Sequence, residues 1–135
     1  MIKISELKVG DLVIVDFDGT FLSGEVLQVN NAQKLAHVRT NGQNDFWYGG
    51  EALNPISLSD DALLKLNFQK QDAEDGSVKY MKGAFRIQLE RKDDFGAINF
   101  WYREDRRQVN NPISVHQLQN YYLDMTKVHL TAEAI

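Results

Sequence analysis

The sequence predicts an α+β fold: a small, strongly bent β-barrel over residues 1–56, then a helix, an antiparallel β-hairpin and a C-terminal helix over residues 57–135, packed as one unit. Three observations predict it. Residues 12–50 hold four short apolar runs separated by Gly, Asp and Asn turn signals, with no helical period among them. Asn-Pro interrupts the strands at 54–55 and again at 111–112, each time shortly before a serine able to cap a helix. After Ser114, the apolar side chains Val115, Leu118, Tyr122 and Met125 recur at helical spacing.

The elements follow in order. Lys8-Val9-Gly10-Asp11 is a turn that launches a β-branched strand, Leu12–Phe17, and Asp18-Gly19 is a two-residue hairpin turn. Simple closure sets Val15 opposite Leu22 and puts Val13 and Val26 on one face. Gly24, inside the return strand, marks a bulge or bend. That strand ends at Asn30-Asn31, a third covers Leu35–Thr40, Asn41-Gly42 turns, and a fourth covers 44–48 before Gly49-Gly50. Four strands in 50 residues describe an SH3-like barrel. The spacing resembles Tudor and KOW modules in its Gly10-Asp11 start, its Asp18-Gly19 turn and the run Gly24-Glu25-Val26-Leu27; this implies a fold and no function.

Beyond Asn54-Pro55, Ser59 caps a short helix over 62–66, with Asp60 and Asp61 in its first turn where the helix dipole favours them. Residues 71–77 are polar and acidic and read as a loop. Strands over 78–90 and 97–102 flank a turn at 92–96, a polar stretch follows, Ser114 caps a helix to about Met125, and 128–130 forms a last short strand. Phe-Trp-Tyr occurs at 46–48 and 100–102, and Asn-Pro-Ile-Ser follows each copy. Unequal gaps favour convergent turn and cap chemistry over a strand–turn–helix repeat.

Cysteine is absent, which excludes disulfides, thiolate zinc sites and a Cys nucleophile. The N-terminus is too acidic and its apolar run too short for a signal peptide, and no stretch has the apolar length of a membrane span. These features place the chain in the cytoplasm, away from membranes. Net charge is −4, with six Lys/Arg against nine Asp/Glu in residues 1–70 and nine against ten in 71–135. That balance makes nucleic acid a less favoured partner than protein. Arg103, Arg106 and Arg107 are interrupted by Glu104 and Asp105 and read as a self-paired loop.

Val13-Ile14-Val15-Asp16-Phe17-Asp18-Gly19-Thr20 resembles the first motif of the haloacid-dehalogenase phosphatases. The resemblance implies Asp16 as nucleophile and Asp18 as acid and base, with magnesium on the phosphate. Such a site needs a parallel sheet and hence a helical crossover after the motif. Here 21–29 is a strand, and Asp93-Asp94, the nearest imitation of the family's acidic pair, sits in a turn. The motif is read as a hairpin.

His37, His116 and His129 lack ligand spacing, no Ser/His/Asp pattern or phosphate loop stands out, and no cofactor is called for. The aromatics remain: Phe17, Phe21, Phe46, Trp47 and Tyr48 in the barrel half, and Phe100, Trp101 and Tyr102 later. Side chains alternate along a strand, so each Phe-Trp-Tyr trio sends at least one ring outward or under a cover. Phe46, Trp47, Tyr48, Phe100, Trp101 and Tyr102 are therefore the candidate binding residues, for another protein or a second copy. No spacing selects a cation cage.

Two stretches, Pro55-Ile56-Ser57-Leu58-Ser59 running into Leu63-Leu64-Lys65-Leu66-Asn67-Phe68, and Val115-His116-Gln117-Leu118-Gln119-Asn120-Tyr121-Tyr122, carry a further likeness. They resemble a group of small uncharacterised proteins that recur in Bacteroides-type gut bacteria and in their phages and mobile elements. The resemblance implies a short N-terminal β module and no activity, and it transfers no functional residue. The function expected from the sequence is that of a non-enzymatic interaction or accessory protein, with a nucleic-acid-associated barrel as the second reading and a magnesium-dependent phosphatase through Asp16 and Asp18, read as a decoy, as the third.

Overall fold

A computed structural model describes residues 1–40 and 44–131. Strands β1 (Leu12–Phe17), β2 (Thr20–Asn30), β3 (Leu35–Thr40), β4 (Asn44–Gly49) and β5 (Leu53–Asn54) precede helix α1 (Asp60–Lys65). Strands β6 (Gln69–Asp72), β7 (Val78–Lys82), β8 (Phe85–Leu89), β9 (Ile98–Tyr102) and β10 (Asp105–Val109) follow, and helix α2 (Val115–Thr126) comes last. Short 3₁₀ turns cover Ile4–Glu6 and Gly50–Ala52. The fold is α+β, built on two antiparallel sheets ordered β4-β3-β2-β1-β5 and β10-β9-β8-β7-β6.

The first hairpin forms as its turn chemistry requires. Asp18 and Gly19 have φ of 50° and 85°, the left-handed pair that a two-residue turn of matching twist needs. Asp16 Oδ1 accepts the Gly19 N–H at 2.9 Å, and Val15 pairs with Leu22. The register irregularity lies between Val26 and Gln28 rather than at Gly24. Gly24 serves close packing instead: a Cβ there would sit 2.5 Å from Val38 Cγ1. The Asn41-Gly42 turn lies outside the described residues. Among those described, β4 and β5 are the edges of the first sheet and no ladder joins them, so closure of the expected barrel is not seen. β5 is two residues long, pairs only with Ile14 and Val15, and runs into Pro55, which lacks an N–H for further pairing.

The second half departs further from expectation. The run 78–90 is two strands, because Lys82 pairs with Phe85 across a Gly83-Ala84 turn. The expected loop at 71–77 is partly β6, and the polar stretch after Tyr102 is β10. A five-stranded sheet thus replaces a single hairpin. Residues 128–130 form no strand, although Leu130 is buried.

Two clusters form the core. One lies over sheet one, around Ile2, Val13, Val15, Val26, Val38 and Leu53. The other joins sheet two to both helices, around Leu63, Tyr80, Phe85, Ile87, Phe100 and Leu118. Ser59 Oγ accepts the Ala62 N–H and caps α1. Asp60, in its first turn, also accepts the buried Tyr80 hydroxyl at 2.6 Å and pairs with Lys70 at 2.9 Å. Ser114 and Gln117 form a reciprocal capping box on α2, whose buried face carries Val115, Leu118, Tyr122 and Met125 as expected, with His116 and Gln119 added. Gln119 is a clamp between the halves. Its Oε1 accepts the Leu12 N–H at 2.8 Å, and its Nε2 donates to the Gly10 and Leu130 carbonyls at 2.8 and 2.7 Å.

Candidate functional site

Among the described residues β4 is an edge of the first sheet, and its aromatics are only partly covered. Phe46 lies opposite Val38 and Tyr48 opposite Ala36, which puts both rings on the core face beyond its fully buried part. Trp47 lies opposite His37 on the other face. Phe46 and Trp47 remain 51% and 45% exposed, while Tyr48 is half-buried. Burial raises the Tyr48 hydroxyl above its ordinary pKa.

Neighbouring side chains extend this edge. Phe17, at the end of β1, stacks on Phe46 with ring centroids 6.2 Å apart, and Tyr48 meets Phe46 edge-on at 6.4 Å. On the opposite face, the His37 ring stacks on Trp47 at 4.9 Å and 15°, and His37 Nε2 lies 2.7 Å from Asp45 Oδ2. The indole is thereby braced and not free to fold away. Phe21, opposite Asp16 on the outer face, is 65% exposed. The arrangement offers rings on both faces of a strand with one open side, a geometry suited to pairing with another strand.

The second trio divides differently. Phe100 is fully buried, against Phe85 and Tyr121, which corrects its place among the outward aromatics. It falls on the face that both helices cover. Trp101 and Tyr102 are partly exposed, with Arg106 over Trp101 at 5.5 Å and Arg103 over Tyr102 at 5.1 Å. Of the three arginines, Arg107 is paired, with Asp105 and Asp124 at 3.0 Å each. Arg103 and Arg106 lie on aromatic rings instead.

The Asp16–Asp18 motif is a hairpin, followed by an antiparallel partner. Asp94 is occupied at its own turn, where its Oδ1 accepts the Gly96 N–H at 3.1 Å.

One constellation was not legible in the sequence. His116, 2% exposed, has Nδ1 3.0 Å from Ser114 Oγ, and its Nε2 faces the Glu6 carboxylate at 3.6 Å without a hydrogen bond. Burial lowers the His116 pKa, against the pull of Glu6, and so favours the neutral ring. These groups border a cavity of about 360 Å³ with Pro55, Ser57 and Phe95. Ser114 Oγ also serves the capping box of α2 and lies 3.1 Å from Gln117 Oε1, so the cluster sits at a helix end. The only signal for it was Ser-x-His, and its partner Glu6 lies more than 100 residues away.

No family model matches the chain, and no curated protein or solved structure matches it.

Proposed function

We propose that this is a non-enzymatic interaction or accessory protein that docks a protein partner along β4, by strand addition flanked by aromatic contacts. The observation that carries the reading is the pair Phe46 and Trp47, both about half-exposed, on opposite faces of one edge strand. A partner strand paired there would cover Phe17 and Phe46 on one side and Trp47 on the other. The strand order, with a 3₁₀ turn just before β5, supports an SH3-like reading of the first sheet. The likeness to proteins of phages and mobile elements fits an accessory role. Among the described residues no helix is long and apolar enough to cross a membrane, and the lack of cysteine suits a cytoplasmic setting.

The test compares wild type with Phe46→Ser/Trp47→Ser as bait in the native cell, with sedimentation of each protein alone. A partner held by wild type and lost by the double variant, at unchanged melting temperature, supports the reading. A wild-type dimer that the variant converts to monomer would make the partner a second copy. Equal capture by both baits would refute the site.

A further inference from the structure

The second sheet has one face beneath the helices and one that keeps solvent exposure at every position. The strand register writes that outer face as two cross-strand rows. The first runs Gln69, Met81, Arg86, Trp101, Arg106. The second runs Gln71, Lys79, Gln88, Asn99, Gln108. In a chain with 19 Asp/Glu against 15 Lys/Arg, this face holds three cations, five amides, one Met, one Trp and no carboxylate.

The acidic residues are set aside from it. Glu74, Asp75, Glu90, Asp93 and Asp94 sit in the loops at the far end of the sheet, beyond the second row, and Asp105 turns to the other face to pair with Arg107. Glu104, in the turn beside the first row, has Arg103 as its neighbour. Among the described residues Lys79, Arg86 and Arg106 join no ion pair. Arg86 and Arg106 flank Trp101 on its two neighbouring strands, and the Arg106 guanidinium lies over the indole at 5.5 Å.

We propose that this face binds single-stranded nucleic acid, independently of the β4 edge. Unpaired cations on an open sheet attract an extended polyanion, and guanidinium groups take phosphate oxygens in bidentate fashion. The indole and the guanidinium over it form a platform for an unstacked base, which a duplex does not offer to a flat surface. Amides donate and accept, and so match base edges without demanding one base. An acidic peptide would satisfy the cations but leave the tryptophan and the amide rows without a role. The net charge of −4 opposes every polyanion, so binding is strongest at low salt.

The experiment measures fluorescence anisotropy of labelled oligothymidylate and oligouridylate with the intact protein, from roughly 50 to roughly 200 mM salt. Saturable binding is expected, with a log–log salt slope of about −2 for three phosphate contacts. Arg86→Gln/Arg106→Gln is expected to weaken it more than tenfold and Trp101→Ala about tenfold. Phe46→Ser/Trp47→Ser should bind as wild type does, which separates failure here from failure of the protein-docking site. None of these side chains is in the core, so matched melting temperatures verify folding. No saturation at the lowest salt would overturn the proposal, as would affinity unchanged in the arginine double variant. Equal competition by polyglutamate, with no effect of Trp101→Ala, would reassign the face to acidic polypeptide.

Discussion

Asp11 and His116 are titratable side chains removed from water, at 3% and 2% exposure, and they shift stability in opposite directions. Burial raises the Asp11 carboxyl from 3.8 to about 7, against the Lys8 N–H and charge that favour ionisation. Between those values the native state holds a proton that the unfolded chain has released. Its contribution is therefore full below about 3.8 and is lost as pH rises toward about 7, by at most about 1.4 kcal/mol per pH unit. His116 is lowered, so its contribution is present above the ordinary histidine range and is lost as pH falls through it. In urea titrations across pH, Asp11→Asn should flatten the loss of stability toward neutral pH, and His116→Gln should flatten the loss on the acid side. Parallel wild-type and variant profiles would contradict the assignment. Neither burial was legible in the sequence. Asp11 reads as a turn residue, and what encloses it includes Asn120, more than 100 positions along the chain.

At the scale of elements, the legible features were those fixed by local chemistry: the Asp18-Gly19 hairpin with its Val15–Leu22 register, and the two capped helices. β6 and β10 were not legible. As edge strands with largely polar sequences, Gln69–Asp72 and Asp105–Val109, they carry no apolar alternation, and only their neighbours define them. The split at Gly83 hid inside a run whose apolar pattern continues on both sides. Gly24 and Gln119 hold the packing together. Gly24→Ala forces a Cβ into Val38 and should destabilise by about 1–3 kcal/mol in denaturant melts. Gln119→Leu leaves the Leu12 N–H and the Gly10 and Leu130 carbonyls without partners, and should cost about 3 kcal/mol or more. Little change in either would show that the strands or the helix relax around the site.

Across the whole molecule, a net charge of −4 does not describe each face of the fold. The chain is acidic overall, yet alternation along β6–β10 turns Lys79, Arg86 and Arg106 to the outer face of sheet two and Asp72 and Asp105 to the other. The aromatics were legible as a set but not in their placement. Three consecutive rings in a strand require outward ones, yet which trio lies on an edge follows from strand order alone, and Phe100 went to the core. The resulting molecule has two separate surfaces, an aromatic edge on sheet one and a cationic, amide-rich face on sheet two, tied through α2 and Gln119.

We propose that β4 takes up another strand. Amide hydrogen exchange with and without the captured partner tests it most directly. Amides of β4 should exchange more slowly in the complex, while those of β6, the edge of sheet two farthest from β10, should not change. Protection elsewhere with β4 unaltered would contradict it.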